Sequence, residues 1–497
     1  MAVKNRDRQN QIKKPQTIDT HSPKMPKPTQ TLISPRHFQN KYVILAILGS
    51  SILIYLCLAR SVHEFSSRTV DHLVVSLNLH TTVYVIVIDA GSTASRVNAF
   101  TFHNSVIGNQ FILDDTLFYE TKPGLSFYAK NPKDINKSLN ILLNKAKEKI
   151  PKNNWASTPI ILRATAGLRL LPQDESQNIL NECKRALDSS GFMTFHDSAA
   201  IMEGSDEGIF SWFTTNFLLK NFSPFYNDEE FATNTVAALD LGGASTQVTF
   251  AVTHDSSDKR SKLLSAHEKN IYHVNAFNKN TSVFTSSFLG LGLMAARKEI
   301  LTHPDNYQNR EYTFDEHSTN VELLAECINP IITGVTWHYA GKDYLVRGPI
   351  NATYKIIKKR LPTGTDERRP VVRFFTCLDI IKKVVDAAIP YQLPSLREYE
   401  IYAFSFYFDR AAEAGLIDPY KGGTVTVESI YKSASEICAY PNTDQPFMCL
   451  DLSFIYVLLH GGFGLGNSSK ICLKKHIDGH QLNWALGAAF NAIQIVS

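Results

Sequence analysis

The chain has 497 residues, 44% of them hydrophobic and 20% charged. That length exceeds what one hydrophobic core serves, and the composition excludes a disordered chain. The net charge of +4 is unevenly spread: residues 1–41 carry nine Lys/Arg against two Asp/Glu, which puts them at +7 and the remainder at −3, so the folded part offers no basic face for nucleic acid.

Residues 1–41, with Pro15, Pro23, Pro26, Pro28 and Pro35 among Lys, Gln and Thr, read as a basic disordered tail. Residues 42–59, YVILAILGSSILIYLCLA, contain no charge and lie between Lys41 and Arg60. As a helix they extend roughly 27 Å, enough for a thin bilayer, and are expected to form a transmembrane signal anchor. The basic tail then stays in the cytosol and everything after Arg60 lies in the lumen or outside, with residues 60–80 as a stalk. Glycosylation acceptor triplets at Asn136, Asn280, Asn351 and Asn467 agree with that placement, whereas the triplet at Asn221 is weakened by Pro224. Six of the seven cysteines follow the anchor, an even number that permits disulfides, and none has the close paired spacing of a zinc site.

The folded part opens with VYVIVID (Val83 to Asp89), a β-branched run that reads as a buried strand ending in DAGSTASR (Asp89 to Arg96). An Asp-x-Gly-Ser turn sets a carboxylate beside a loop of backbone N–H groups, which suits a hydrated divalent cation and the phosphates it accompanies. Alternation from Arg96 to Phe102 predicts an antiparallel partner strand. Leu139 to Ile150 has helical spacing. Pro159 to Pro172 reads as a strand running into Ala-Thr-Ala-Gly, which places Thr165 on the same rim as Asp89, and Asp174 and Glu175 begin an amphipathic helix through Leu187.

Ile201 to Leu219 opens acidic and turns apolar at helical intervals. Glu207, in its first turn, suits either the positive end of the helix dipole or a general base aimed into a cleft. Thr235 to Phe250 then repeats the opening pattern: an apolar strand, Asp240, Gly242, Gly243, Ala244 and Ser245, and an alternating strand. Two such copies imply two related lobes facing one polyphosphate. IYAFSFYFDRA (Ile401 to Ala411) offers aromatic faces for stacking a base or for core packing. GGFGLG (Gly461 to Gly466) lacks the Lys-Ser/Thr ending of a P-loop and reads as a connection near the nucleoside site.

DAGSTASR, ATAGLRLLP, EGSDEGIFSW, LDLGGASTQVTF and NWALGA resemble, in order and spacing, the five signature segments of the apyrases, or nucleoside triphosphate diphosphohydrolases. The resemblance extends from Val83 to the C-terminus. It implies an α/β fold of two ribonuclease-H-like lobes of the actin, hexokinase and heat-shock ATPase superfamily, with the active site between lobes formed by residues 81–200 plus 476–497 and by residues 201–475. Carried onto this chain, it implies that Asp89 and Asp240 hold Ca²⁺ or Mg²⁺ through water, with Thr165, Glu207 and Trp484 near its hydration shell. Ser92, Thr93, Ala94, Gly242, Gly243 and Ala244 would grip phosphate, and Glu207 would activate a water oriented by Ser245 and Gln247.

Ala94 departs from the family's glycine, and a positive φ there would strain the loop. After Trp484 the tail is too short to span a bilayer and is expected to form a helix returning to the first lobe. Single-anchor members are Golgi or endoplasmic-reticulum diphosphatases that prefer UDP and GDP and supply glycosylation; by similarity to them Cys327 pairs with Cys377 and Cys438 with Cys449, while Cys183 and Cys472 pair or stay free. The alternatives are a broad apyrase acting on ATP and ADP outside the cell and a nucleotide-binding protein without hydrolysis.

Overall fold

In the computed structural model the described residues are 43, 45–52, 54, 55, 81–105, 111–223, 226–252, 267–277, 279–307, 320–357, 367–391, 393, 394 and 396–496. The chain divides into two compact units, Met1–Leu73 and Val74–Ser497. In the first, the described residues of 43–55 are helical and exposed. Among the described residues no helix is long and apolar enough to cross a membrane. The predicted span 42–59 is only partly within them, and the tail and stalk lie outside them.

The second unit is built on two mixed sheets. In the first, β1 (Thr82–Ala90), β2 (Ser95–Asn104), β3 (Phe111–Thr121), β4 (Ile160–Ala164) and β5 (Ala199–Ile201) are ordered β3-β2-β1-β4-β5. β1, β2 and β3 are antiparallel neighbours, whereas β4 and β5 run parallel to β1. The second sheet contains β6 (Ala237–Leu241), β7 (Ser245–Ala251), β8 (Ile271–Ala276) and β9 (Lys279–Leu289). A smaller sheet, β10 (Asn320–Leu324), β11 (Val335–Tyr339) and β12 (Lys342–Arg347), and a hairpin, β13 (Thr353–Ile357) and β14 (Glu367–Val371), intervene before the second sheet is completed by β15 (Ile401–Ser405), β16 (Gly423–Thr426) and β17 (Lys470–Leu473).

Its order is β16-β17-β15-β6-β7-β9-β8. Stripped of its edge strands it repeats the first sheet, with β6, β7 and β9 antiparallel in succession and β15 and β17 parallel to β6. Asp89 pairs with Arg96 on β2 and Arg163 on β4; Asp240 pairs with Gln247 on β7 and Phe404 on β15. The two aspartates therefore occupy the same position of a repeated unit.

Helices cover these sheets with the faces their spacing predicts. In Ile135–Lys149 the buried residues include Ile135, Leu139, Leu142, Leu143 and Ala146, one apolar stripe that starts a turn before the Leu139 inferred from sequence because Ile135 shares its face. Gln173–Asp188 buries Ile179, Leu180, Cys183, Ala186 and Leu187 and carries Asp174 and Glu175 in its first turn, where the helix dipole favours them. The C-terminal helix Ala485–Val496 returns to β1 and β2 and packs on helix Gly204–Leu218. Trp212, Phe404, Ala489 and Ile493 thereby join Val85, Val87, Phe100 and Phe102 in one apolar cluster that links the two sheets. Disulfides join Cys327 to Cys377 and Cys438 to Cys449, while Cys183, buried under the first sheet, and Cys472, on β17, are free thiols.

Candidate active site

The ends of β1, β4, β6 and β15 open into a cleft of about 290 Å³ lined by the turns that follow them. Loop Ala90–Ala94 is fixed from both sides. A Cβ on Gly124 would stand 2.5 Å from the Gly91 carbonyl oxygen, and one on Gly167 would stand 2.7 Å from Ser92 Cα, so both neighbours must be glycine for the loop to sit where it does. Ala94 is fully buried and is not among the described residues with positive φ. The strain expected from its methyl group does not arise. Ser92 and Thr93 line the cleft, whereas Ala94 is not among its lining residues.

The second loop is held by the start of helix Leu293–Thr302. The amides of Leu293, Met294 and Ala295 donate to the carbonyls of Gly242 and Gly243 at 2.9 to 3.0 Å, and Gly290 N donates to the Ala244 carbonyl at 2.8 Å. With these carbonyls satisfied, the turn is fixed, and Gly242, Gly243 and Ala244 line the cleft wall. Across the cleft Gly243 approaches the first loop so closely that a Cβ would lie 2.3 Å from Ser92 Oγ. The two loops thus meet.

Three carboxylates lie at the floor, Asp89, Glu207 and Asp240, at 8%, 6% and 5% exposure. Glu207 comes from the first turn of Gly204–Leu218 and accepts from Arg169 Nη2 at 2.5 Å and from Gln247 Nε2 at 3.1 Å. Burial pushes its carboxyl up to about 8, against the pull of Arg169. Asp240 accepts from Ser405 Oγ at 2.7 Å and Ser211 Oγ at 3.3 Å; burial raises it to about 6 although both hydroxyls favour its charged form. Asp89 is raised by burial against the opposing charge of Arg96, which bonds Asp89 Oδ2 at 3.1 Å and Glu120 at 2.8 Å.

Gln247 sits one layer behind the wall. Its Nε2 reaches Ser245 Oγ at 2.8 Å and Ser287 Oγ at 3.0 Å besides Glu207, so it fixes the Glu207 carboxyl and the Ser245 hydroxyl relative to each other. Thr165 and Trp484 line the cleft. The Thr165 side chain makes no capping bond to the short helix Ala166–Arg169 that follows it.

Sequence reasoning missed Arg96, Arg169, Ser211, Ser287 and Ser405. Arg96 closes one motif and Arg169 lies inside another, but Arg96 reaches Glu120 across 24 residues and Arg169 reaches Glu207 across 38. Ser405 carries a backbone signal invisible in sequence: it is a non-glycine residue at φ 58°, a strained conformation held where its hydroxyl reaches Asp240. In IYAFSFYFDRA the rings divide: Phe404 and Tyr407 are core, Phe406 reaches the cleft, and Phe408 is a buried core residue that also lines it. Gly461 to Gly464 line a second cavity of about 620 Å³ with Tyr391 and Arg397.

Among the described residues no cluster of three or more His, Cys, Asp or Glu converges as direct ligands of a metal ion. Asp89 Oδ1 is nevertheless buried without a hydrogen-bond partner. A buried acceptor of this kind and the raised Asp240 fit a cation whose water molecules donate to them.

Two like sheets that bring acidic-glycine loops together over buried carboxylates define an enzyme that takes a polyphosphate into the cleft between them. The chain belongs to the GDA1/CD39 (nucleoside phosphatase) family, whose model matches residues 76–348 and 421–497. It is 35% identical over 416 residues to ectonucleoside triphosphate diphosphohydrolase 5 of Ailuropoda melanoleuca, an alignment covering 83% of this chain and 88% of that protein. To the nucleoside-diphosphatase uda-1 of Caenorhabditis elegans it is 33% identical over 429 residues, 83% of this chain and 82% of the other. The human nucleoside diphosphate phosphatase ENTPD5 is 34% identical over 416 residues, 83% and 88% of the two chains. Among solved structures, a nucleoside triphosphate hydrolase from Neospora caninum superposes with a TM-score of 0.55 at 14% identity, covering 88% of this chain and 97% of that one, and so shares the fold.

Proposed function

We propose that this protein hydrolyses the terminal phosphate of nucleoside diphosphates, UDP and GDP among them, with the help of Ca²⁺ or Mg²⁺. The observation that carries the reading is Glu207, a buried carboxylate bridged by Gln247 to the Ser245 hydroxyl beside the amides of the second loop. Relatives named as nucleoside diphosphatases support the diphosphate preference.

In this mechanism the Gly243 and Ala244 amides bind the terminal phosphate, and the Ser92 and Thr93 side chains bind the phosphate next to it. Ser245 Oγ orients a water that Glu207 deprotonates, and Arg169 stabilises Glu207 in its ionised form before the proton arrives. A divalent cation held through water by Asp89 and Asp240, with Thr165 and Trp484 beside its shell, would supply charge neutralisation for the leaving oxygen. Water attacks phosphorus directly, so the products are a nucleoside monophosphate and inorganic phosphate.

The stability of the metal-free protein follows from the raised carboxyls. Glu207, ordinarily near 4.5 and here about 8, and Asp240, ordinarily near 3.8 and here about 6, keep their protons in the folded state after the unfolded chain has released them. Their contribution is fully present below the unfolded values and is lost as pH rises through 6 and 8. Thermal melting in EDTA is therefore expected to fall from pH 5 to pH 8, and added Ca²⁺ or Mg²⁺ to restore more at pH 8, where the carboxylates are charged. A flat melting profile in EDTA would contradict this electrostatic reading.

We further infer a single-pass anchor at residues 42–59 and a catalytic part in the lumen of the Golgi or endoplasmic reticulum, where UDP and GDP released by glycosyl transfer would be its substrates. The two disulfides suit an oxidising compartment, and Asn280, Asn351 and Asn467 are exposed while Asn136 is half-buried. Phosphate release from UDP, GDP, ADP and ATP, each with Ca²⁺, Mg²⁺ or EDTA, tests the activity. Cation-dependent release fastest from UDP and GDP is expected. Equal rates on ATP and ADP would favour a broad apyrase, and no release from any would leave a binding protein.

A further inference from the structure

The cleft changes character from floor to mouth. Asp409 and Lys475 line it along with the floor carboxylates, yet their side chains are 39% and 46% exposed. A diphosphate drawn to the loops at the floor leaves its nucleoside at the mouth, among Phe118, Phe406, Asp409 and Lys475. Asp409 stands in the first turn of helix Phe406–Glu413, which continues from β15, and Lys475 follows β17, the parallel neighbour of β15. Both therefore follow adjacent strands of one sheet, and their side chains pair in the absence of a ligand.

Lys475 Nζ lies 3.4 Å from Asp409 Oδ1 and 5.9 Å from the centre of the Phe408 ring. An ion pair this exposed adds little to stability, and its place on the cleft wall gives it another use. An ammonium only donates hydrogen bonds and a carboxylate only accepts them. Side by side they match a base edge on which a carbonyl oxygen adjoins a ring N–H. Uracil, guanine and hypoxanthine have that edge. Cytosine and adenine present the reverse, an amino donor beside a bare ring nitrogen, which sets donor against donor and lone pair against lone pair.

We propose, on the reading that the cleft takes a nucleoside diphosphate, that Asp409 and Lys475 determine specificity by reading the base edge, selecting uracil, guanine and hypoxanthine over cytosine and adenine. Asp409 accepts from the ring N–H, Lys475 donates to the neighbouring carbonyl oxygen, and Phe406 supplies an apolar face beside them.

The test is kcat/KM of the full-length protein and its Asp409→Ala and Lys475→Met variants on UDP, GDP, IDP, CDP, ADP and 3-methyluridine diphosphate, whose ring N–H is blocked. Wild type is expected to favour UDP over CDP and over the methylated analogue. In Asp409→Ala both ratios should fall by about 10- to 100-fold, the worth of one charge-assisted hydrogen bond, and Lys475→Met should reduce the UDP to CDP ratio in the same direction. A merely structural role would lower all substrates together and leave the ratios unchanged, which would overturn the proposal, as would equal rates on UDP and its methylated analogue in wild type. Absence of hydrolysis of every nucleotide by wild type would instead refute the underlying reading of the cleft.

Discussion

Glu207→Gln is expected to lower kcat by about 10²- to 10⁴-fold while leaving nucleotide binding in place, the usual worth of a positioned general base. The amide keeps the size of the carboxylate and still offers an oxygen to Arg169 and Gln247, whose bonds to Glu207 are 2.5 and 3.1 Å long. What it loses is the ability to take a proton from water. The phosphate loops are separate structures, fixed by Gly124, Gly167 and the amides of Leu293, Met294 and Ala295, so the ligand should bind with little change. Steady-state rates paired with equilibrium binding of a nucleoside diphosphate separate the two effects. Turnover near that of the wild type would remove Glu207 from the mechanism, and a loss of binding equal to the loss of rate would make it a ligand-holding group.

Arg297→Met is expected to cost about 3–5 kcal/mol of stability, the typical penalty for stranding one member of a buried ion pair. Asp451 is 0% exposed and accepts from Arg297 Nε at 3.1 Å and Nη2 at 2.6 Å, with Arg410 Nη1 at 3.5 Å as its other cation. The Arg297 guanidinium also lies 4.3 Å from the centre of the Phe447 ring, a contact methionine replaces only in part. Urea unfolding should show the loss, and Arg297→Met combined with Asp451→Leu should recover much of it, because no charge is then left unpaired. A single variant as stable as wild type would show that water reaches Asp451. Because Arg297 sits on helix Leu293–Thr302, whose first amides hold Gly242 and Gly243, its loss should also raise KM.

The strand pairs beside each aspartate were legible because local signals fix them. β-branched runs ending in Asp-x-Gly give both the strand and the turn, and the alternation after Arg96 and Ser245 gives an antiparallel return. Repetition of the pattern made the duplication visible, although the equivalence of Arg96 and Gln247, each opposite its aspartate, emerges only from strand register. The same position thus carries a cation that neutralises Asp89 in one sheet and an amide that orients Glu207 in the other.

Contacts made across long sequence separations were not legible. Ser405 reaches Asp240 over 165 residues, and it does so through a positive φ that its residue type does not announce. Ala94 shows the opposite case, a residue whose type suggested strain in a backbone that has none. Gly461 to Gly464 lie where helix Met448–Val457 passes into a π-helical turn, and they line a second cavity. Glycine content alone does not say which wall a loop joins.

Direct attack of water on the terminal phosphorus is tested most directly by one turnover of UDP in ¹⁸O-water with Ca²⁺ or Mg²⁺ present. The geometry of Glu207, Gln247 and Ser245 predicts that the label enters inorganic phosphate and is absent from UMP. Label in UMP would mean attack at the inner phosphorus and would contradict the assignment of the second loop to the terminal phosphate.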